Sequence, residues 1–158
     1  MEQEICNISW EEVERGVSSI LSDIKKRNIN VDTIVPILRG GAPLGNLISN
    51  NINADIAYIH IRRTASNDIN AEFKIPVLKG ITNSETIEGK DILIVDDLLD
   101  KGVTMEFAIE ELKKLKPKSI HVAVLYNFTK LENEEMYIVG LEMKVKKWIV
   151  FPWETKLV

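Results

Sequence analysis

Apolar and polar positions along the chain alternate between two periods, and the changes of period mark out the elements. SWEEVERGVSSILSDIKKRN, from Ser9 to Asn28, places Val13, Val17, Ile20, Leu21 and Ile24 on one stripe and predicts an amphipathic helix. Ser9 is a suitable N-cap, Glu12 three residues on completes a capping box, and Lys25, Lys26 and Arg27 suit the negative end of the helix dipole. TIVPIL (Thr33–Leu38) reads as a short buried strand, although Pro36 fits poorly in a central one. Pro43 is placed to open a second helix, PLGNLISNN, as its first residue. ADIAYIHI (Ala54–Ile61) predicts another strand. DILIV (Asp91–Val95) is the clearest strand and VTMEFAIEELKKLK (Val103–Lys116) the clearest helix, with Pro117 beyond it. SIHVAVLY (Ser119–Tyr126) is a strand, and MYIVGLEM and KKWIVFPW read as β or extended.

Strands that are continuous apolar runs, alternating with helices, imply a mostly parallel sheet covered on both faces: an α/β, doubly wound domain. The stretch from Arg63 to Lys90 is polar and mixed. It is expected to be largely loop, with a weak strand near FKIPVL, and a loop of that length in a compact domain suggests a lid over residues 64–90.

The 158 residues fit one domain, spanning 1–158. The formal charge of -4 argues against a general basic field for nucleic acid, while leaving room for a local basic pocket. A single cysteine, Cys6, excludes an internal disulfide and a thiolate metal cluster. No apolar run approaches a membrane span, and MEQEICNISW lacks the pattern of a signal peptide, so the expectation is a cytoplasmic protein without membrane contact.

The chemistry concentrates in LIVDDLLDKGVTM, Leu93 to Met105. An apolar strand runs into Asp96 and Asp97, and ligands of open α/β sheets bind outside the carboxyl ends of strands. Carboxylates there accept hydrogen bonds from hydroxyls or approach a magnesium ion. The following turn, Asp100 to Thr104, leads into a helix N-terminus, whose free N–H groups and dipole favour phosphate; Gly102 admits a close backbone and Thr104 offers a hydroxyl. Hydroxyl acceptors beside a phosphate cradle match a ribose 5-phosphate. An ordinary acidic turn with an N-cap is the plainer alternative. There is no P-loop and no dinucleotide glycine fingerprint, and an EF-hand would need oxygen at Leu98 and glycine at Lys101.

ILIVDDLLDKGVT resembles the phosphoribosyl-diphosphate (PRPP) signature of type I phosphoribosyltransferases. LRGG (Leu38–Gly41) resembles that family's pyrophosphate loop, and ISWEEV and KKWIVFPWE resemble its xanthine-guanine branch. The motifs stand in the family's order over nearly the whole chain. The resemblance implies a small C-terminal hood over residues 136–158 for the base. It implies that Asp96 and Asp97 bind the ribose hydroxyls and help place Mg2+. Asp100, Lys101, Gly102, Val103 and Thr104 would hold the 5′-phosphate, with Asp100 also assisting proton loss from the base. Arg39, Gly40 and Gly41 would take pyrophosphate, with Leu38–Arg39 expected as a cis peptide. Trp148 would stack on the base and the Ile149 backbone read its edge, while Trp153 and Pro152 belong to the core. Arg62 and Arg63 would stand at the lid. The implied activity is purine salvage, joining PRPP to hypoxanthine, guanine or xanthine, in a dimer or tetramer.

Two departures from the family pattern keep other readings open. Lys101 replaces the usual hydroxyl residue of the phosphate turn, and Asn127 and Phe128 stand where 6-oxopurine enzymes carry a base-reading lysine, leaving Asn127 or Lys130 as substitutes. A different base or acceptor, or a non-catalytic PRPP- or nucleotide-sensing regulator, are the alternatives.

Overall fold

The computed structural model describes residues 4–64 and 75–157. The elements in chain order are β1 (Ile5–Asn7), α1 (Trp10–Lys26), β2 (Thr33–Leu38), α2 (Gly41–Ser49), β3 (Asp55–Ile56), β4 (Ile59–Thr64), β5 (Ile75–Ile81), β6 (Asp91–Leu99), α3 (Val103–Lys113), β7 (Ser119–Asn127), β8 (Tyr137–Val139) and β9 (Trp148–Val150). The main sheet has the order β5-β4-β2-β6-β7-β8, with β3 also paired to β2. All its described pairings are parallel except β4 with β5.

Residues of opposite parity on β6 feed two separate cores. Leu93 and Val95 join Val13, Val17, Ile20 and Ile24 of α1 and Leu44 and Ile48 of α2 on one face. Ile92 and Ile94 join Met105, Ala108, Ile109 and Leu112 of α3 on the other. Burial on both faces is why DILIV shows no polar alternation. Each such side chain contributes about 1.5–3 kcal/mol, so the strand that carries the acidic pair is among the most firmly held.

The capping box forms as expected: the Ser9 hydroxyl accepts from the Glu12 N–H at 3.1 Å, and the Glu12 carboxylate accepts from the Ser9 N–H at 2.8 Å. Other expectations need correction. Helix α2 begins at Gly41, with Gly40 as its cap, so Pro43 is third rather than first. Its start is set by contact, since an added Cβ on Gly41 would lie 2.3 Å from the Val95 carbonyl oxygen. Pro36 is in a central strand after all. It is tolerated where the partner on that side changes: β3 pairs with Thr33 and Ile34, β4 with Ile37 and Leu38, and Pro36 falls between. Between Arg63 and Lys90 the strand expected near FKIPVL is present as β5, and a 3-10 turn at Ser84–Thr86 stands where only loop was expected. Residues 65–74 of the expected lid lie outside the described residues.

A second, two-stranded sheet pairs β1 with β9 in parallel, Ile5 opposite Trp148 and Asn7 opposite Val150. Strand β1 is too short to show a period. It ties the N-terminus to the C-terminal hood, and the Trp153 ring stacks on Phe151 at 4.9 Å and tilts against Trp10 at 5.8 Å. Among the described residues no helix is long and apolar enough to cross a membrane.

Candidate active site

Strand β6 outruns its neighbour. Its pairing with β2 ends at Val95, whereas its pairing with β7 continues to Leu99. Asp96 and Asp97 occupy the overhang, with one side of the ladder open. The Asp97 N–H donates to the Asp96 carboxylate at 2.9 Å, fixing that carboxylate close to the backbone. Burial, and then the neighbouring Asp97 charge, push the Asp96 carboxyl well above the usual range. Burial and the Glu154 carboxylate push Asp97 up to about 6. A pair that resists carrying two full charges is stabilised by whatever donates hydrogen bonds or positive charge to it. Among the described residues no cluster of three or more His, Cys, Asp or Glu could hold a metal.

The turn after β6 is built as the sequence suggests. Gly102 is the cap of α3 at φ 81°, with no side chain capping the helix, so the first-turn N–H groups have no side-chain partner there. Asp96, Asp100, Lys101, Gly102, Val103 and Thr104 line a cavity of about 90 Å3, small enough for one phosphate group. Arg63, from the end of β4, also lines it. Sequence reasoning placed Arg63 only at the lid; its neighbour Arg62 lies on the same strand.

The Leu38–Arg39 peptide is cis. Arg39 is exposed at the loop tip and, with Gly40, Ala42, Pro43, Trp153 and Glu154, lines a cavity of about 650 Å3. Gly40 faces the acidic pair: a Cβ there would lie 2.4 Å from the Asp97 carboxylate oxygen. Gly41 instead packs under the strand, against the Val95 carbonyl and the Asp96 Cα.

A third cavity, of about 260 Å3, lies under the hood. Asp97, Asp100, Phe128, Lys146, Trp148 and Ile149 are among its walls. Trp148 is 60% exposed and offers a free ring face, while Ile149 is buried. The structure thus joins the acidic pair, Asp100, the turn, the Arg39 loop and Trp148 around one groove. The three cavities share walls: Asp100 between turn and hood, Glu154 between hood and loop.

Two residues are not brought there. The Asn127 side chain is occupied by Thr129, donating to its carbonyl at 2.9 Å and accepting from its N–H at 3.0 Å. Lys130 lines a different cavity of about 380 Å3 with Glu106, Met136 and Tyr137; Lys101 and Gly102 border it as well. Sequence reasoning also missed Lys146, whose ammonium pairs with the Asp100 carboxylate. Glu154 was visible only as the last letter of KKWIVFPWE. It accepts from the Phe151 N–H at 2.8 Å and borders both the hood and the loop cavities. Trp153, expected in the core, is partly buried at the core's edge and also lines the loop cavity.

Known proteins share this fold. The family described as "Phosphoribosyl transferase domain" matches residues 9–158. A transcriptional regulator, GfcR, of Methanosarcina mazei is 31% identical over 67% of the chain, and the chain spans about half of that regulator's length (50%). A xanthine-guanine phosphoribosyltransferase of Idiomarina loihiensis is 29% identical over 95% of this chain and 87% of its own. The crystal structure of a purine phosphoribosyltransferase from Pyrococcus horikoshii superposes with a TM-score of 0.77 at 28% identity, over 98% of this chain and 97% of that one. With a family match over residues 9–158 and a fold that superposes over nearly its whole length, this chain belongs to the phosphoribosyltransferase family.

Proposed function

We propose that the protein is a purine phosphoribosyltransferase, moving the 5-phosphoribosyl group of PRPP to a 6-oxopurine with release of pyrophosphate. The observation that carries this reading is the shared walls: a turn cavity sized for a phosphate meets the hood cavity for a flat base at Asp100, and the hood cavity meets the Arg39 loop cavity at Glu154. The xanthine-guanine and purine relatives support it.

The chain's own residues act mainly by placement. The Asp100–Thr104 turn holds the 5′-phosphate through N–H groups and the Thr104 hydroxyl. Asp96 and Asp97 accept hydrogen bonds from the ribose hydroxyls. Arg39 meets the pyrophosphate with a forked donor, and the Trp148 face holds the base flat over C1′. Magnesium fits Asp96 and Asp97 only together with oxygens of the ligand, since the described residues offer no complete cage. When bound it would neutralise charge on the departing pyrophosphate. As the base nitrogen bonds to C1′ and the C1′–O bond to pyrophosphate breaks, Asp100 receives the proton that the base sheds.

A non-catalytic, nucleotide-sensing role on the same groove is the second reading, favoured by the GfcR relative. The deciding assay offers PRPP and magnesium with hypoxanthine, guanine, xanthine or adenine separately, and follows pyrophosphate and nucleotide together. Turnover with a 6-oxopurine is expected. Tight binding of PRPP with no pyrophosphate released for any base favours the sensor.

A further inference from the structure

We infer that Lys146 is the residue that selects the base, presenting its ammonium to the 6-oxo group while Asp100, its partner, takes the adjacent ring nitrogen. This rests on the purine reading of the hood cavity. A 6-oxopurine displays two groups side by side on one edge: the O6 acceptor and, in the N7-protonated form, an N–H donor. The matching protein surface is a donor next to an acceptor, both aimed into a slot wide enough for a ring.

The Lys146–Asp100 ion pair has that composition. Both residues line the hood cavity, together with the Trp148 face and Ile149. The two side chains are 48% and 42% exposed, so neither is sealed off from an incoming base. Lys146 lies two residues before Trp148, on the segment leading into β9. Donor and stacking ring are therefore placed by the same short stretch, whose strand is registered against β1. The rival donors are elsewhere: the Asn127 amide is bonded to Thr129 and Lys130 faces the cavity beside α3. A 6-aminopurine would turn a donor toward the ammonium, and two donors cannot pair. Rejection of adenine follows from the same contact.

The test is equilibrium binding of GMP and AMP, whose N7 carries no proton so that only the Lys146 contact to the 6-substituent is read, measured by tryptophan fluorescence on the full chain and on Lys146→Met and Lys130→Met, with thermal melts to show that each variant is folded. Pyrophosphate release is followed in parallel. The expected result is that K146M weakens GMP binding roughly 10- to 100-fold, the loss expected for one charged hydrogen bond. AMP should change little, so the preference for GMP over AMP collapses, while K130M behaves like the parent. A K146M variant that keeps the preference, or a K130M variant that loses it, overturns the inference. A parent chain that binds neither nucleotide also overturns it. A parent chain that binds GMP through Lys146 but releases no pyrophosphate sustains it and removes only the catalytic reading.

Discussion

Gly40 and Gly41 are adjacent in sequence, yet the structure gives their substitution by alanine opposite consequences. On Gly41 the new Cβ would lie 2.3 Å from the Val95 carbonyl oxygen and 3.2 Å from the Asp96 Cα. That is about an ångström short of ordinary contact, and the obstacle is backbone. At Val95 β6 is registered against β2 on one side and β7 on the other, so it cannot retreat. The helix must move instead, at about 2–3 kcal/mol, the upper end for overpacking. In a domain of this size that is roughly a 5–10 °C fall in Tm. On Gly40 the obstacle is the Asp97 carboxylate, 2.4 Å away, the end of a side chain that can turn. Gly40 has φ -60°, which alanine adopts readily, and the lost freedom of the unfolded chain offsets part of the strain. G40A should therefore melt within about 2 °C of the parent. Its displaced carboxylate should weaken PRPP binding roughly tenfold, about 1.4 kcal/mol. Differential scanning calorimetry and PRPP titration by isothermal calorimetry separate the two effects. Equal loss of stability in both variants, or unchanged PRPP affinity in G40A, would refute the assignment of Gly41 to packing and Gly40 to the site.

Other outcomes follow from single contacts. Trp148→Ala should raise the KM for the base roughly tenfold by removing a stacking face, with KM for PRPP and Tm unchanged because the ring is 60% exposed; an unchanged base KM counts against stacking. Asp100→Asn should lower kcat roughly 100-fold or more while PRPP still binds; full activity removes Asp100 as proton acceptor. Far from the groove, Asp91 accepts from the Ser119 hydroxyl at 2.6 Å and from the Asn30 amide at 2.8 Å. These bonds hold its carboxyl below the usual range. A depressed folded value means a stabilising contribution that is complete above the unfolded value of ~3.9 and is lost as the pH falls through the folded one. Asp91→Asn should cost about 1–2 kcal/mol by urea unfolding at pH 7, with the gap from the parent closing toward pH 3; a gap independent of pH would show that the charge contributes nothing.

Much of this protein is decided locally and is therefore legible in its sequence. The N-terminal capping box depends on two residues three apart, and it forms as read. The β6 run and the α3 stripe are set by their own periods, and the phosphate turn needs only a glycine that tolerates positive φ before a helix. Those features lead directly to Asp96, Asp97, Asp100 and the Gly102 turn. What the sequence left open depends on partners distant along the chain. Strand β1 exists because β9 supplies its hydrogen bonds. Pro36 is acceptable because two other strands leave a gap beside it. The start of α2 is set by a carbonyl on β6. Lys146 has no local signal at all: among neighbouring lysines its meaning lies in Asp100, 46 residues away. Asn127 looked free for a base until the fold gave both ends of its amide to Thr129. Periodicity and turn chemistry report what neighbours a few residues apart require of one another; which side chains meet across a groove is decided only when the sheet has brought strand ends and the C-terminal hood together.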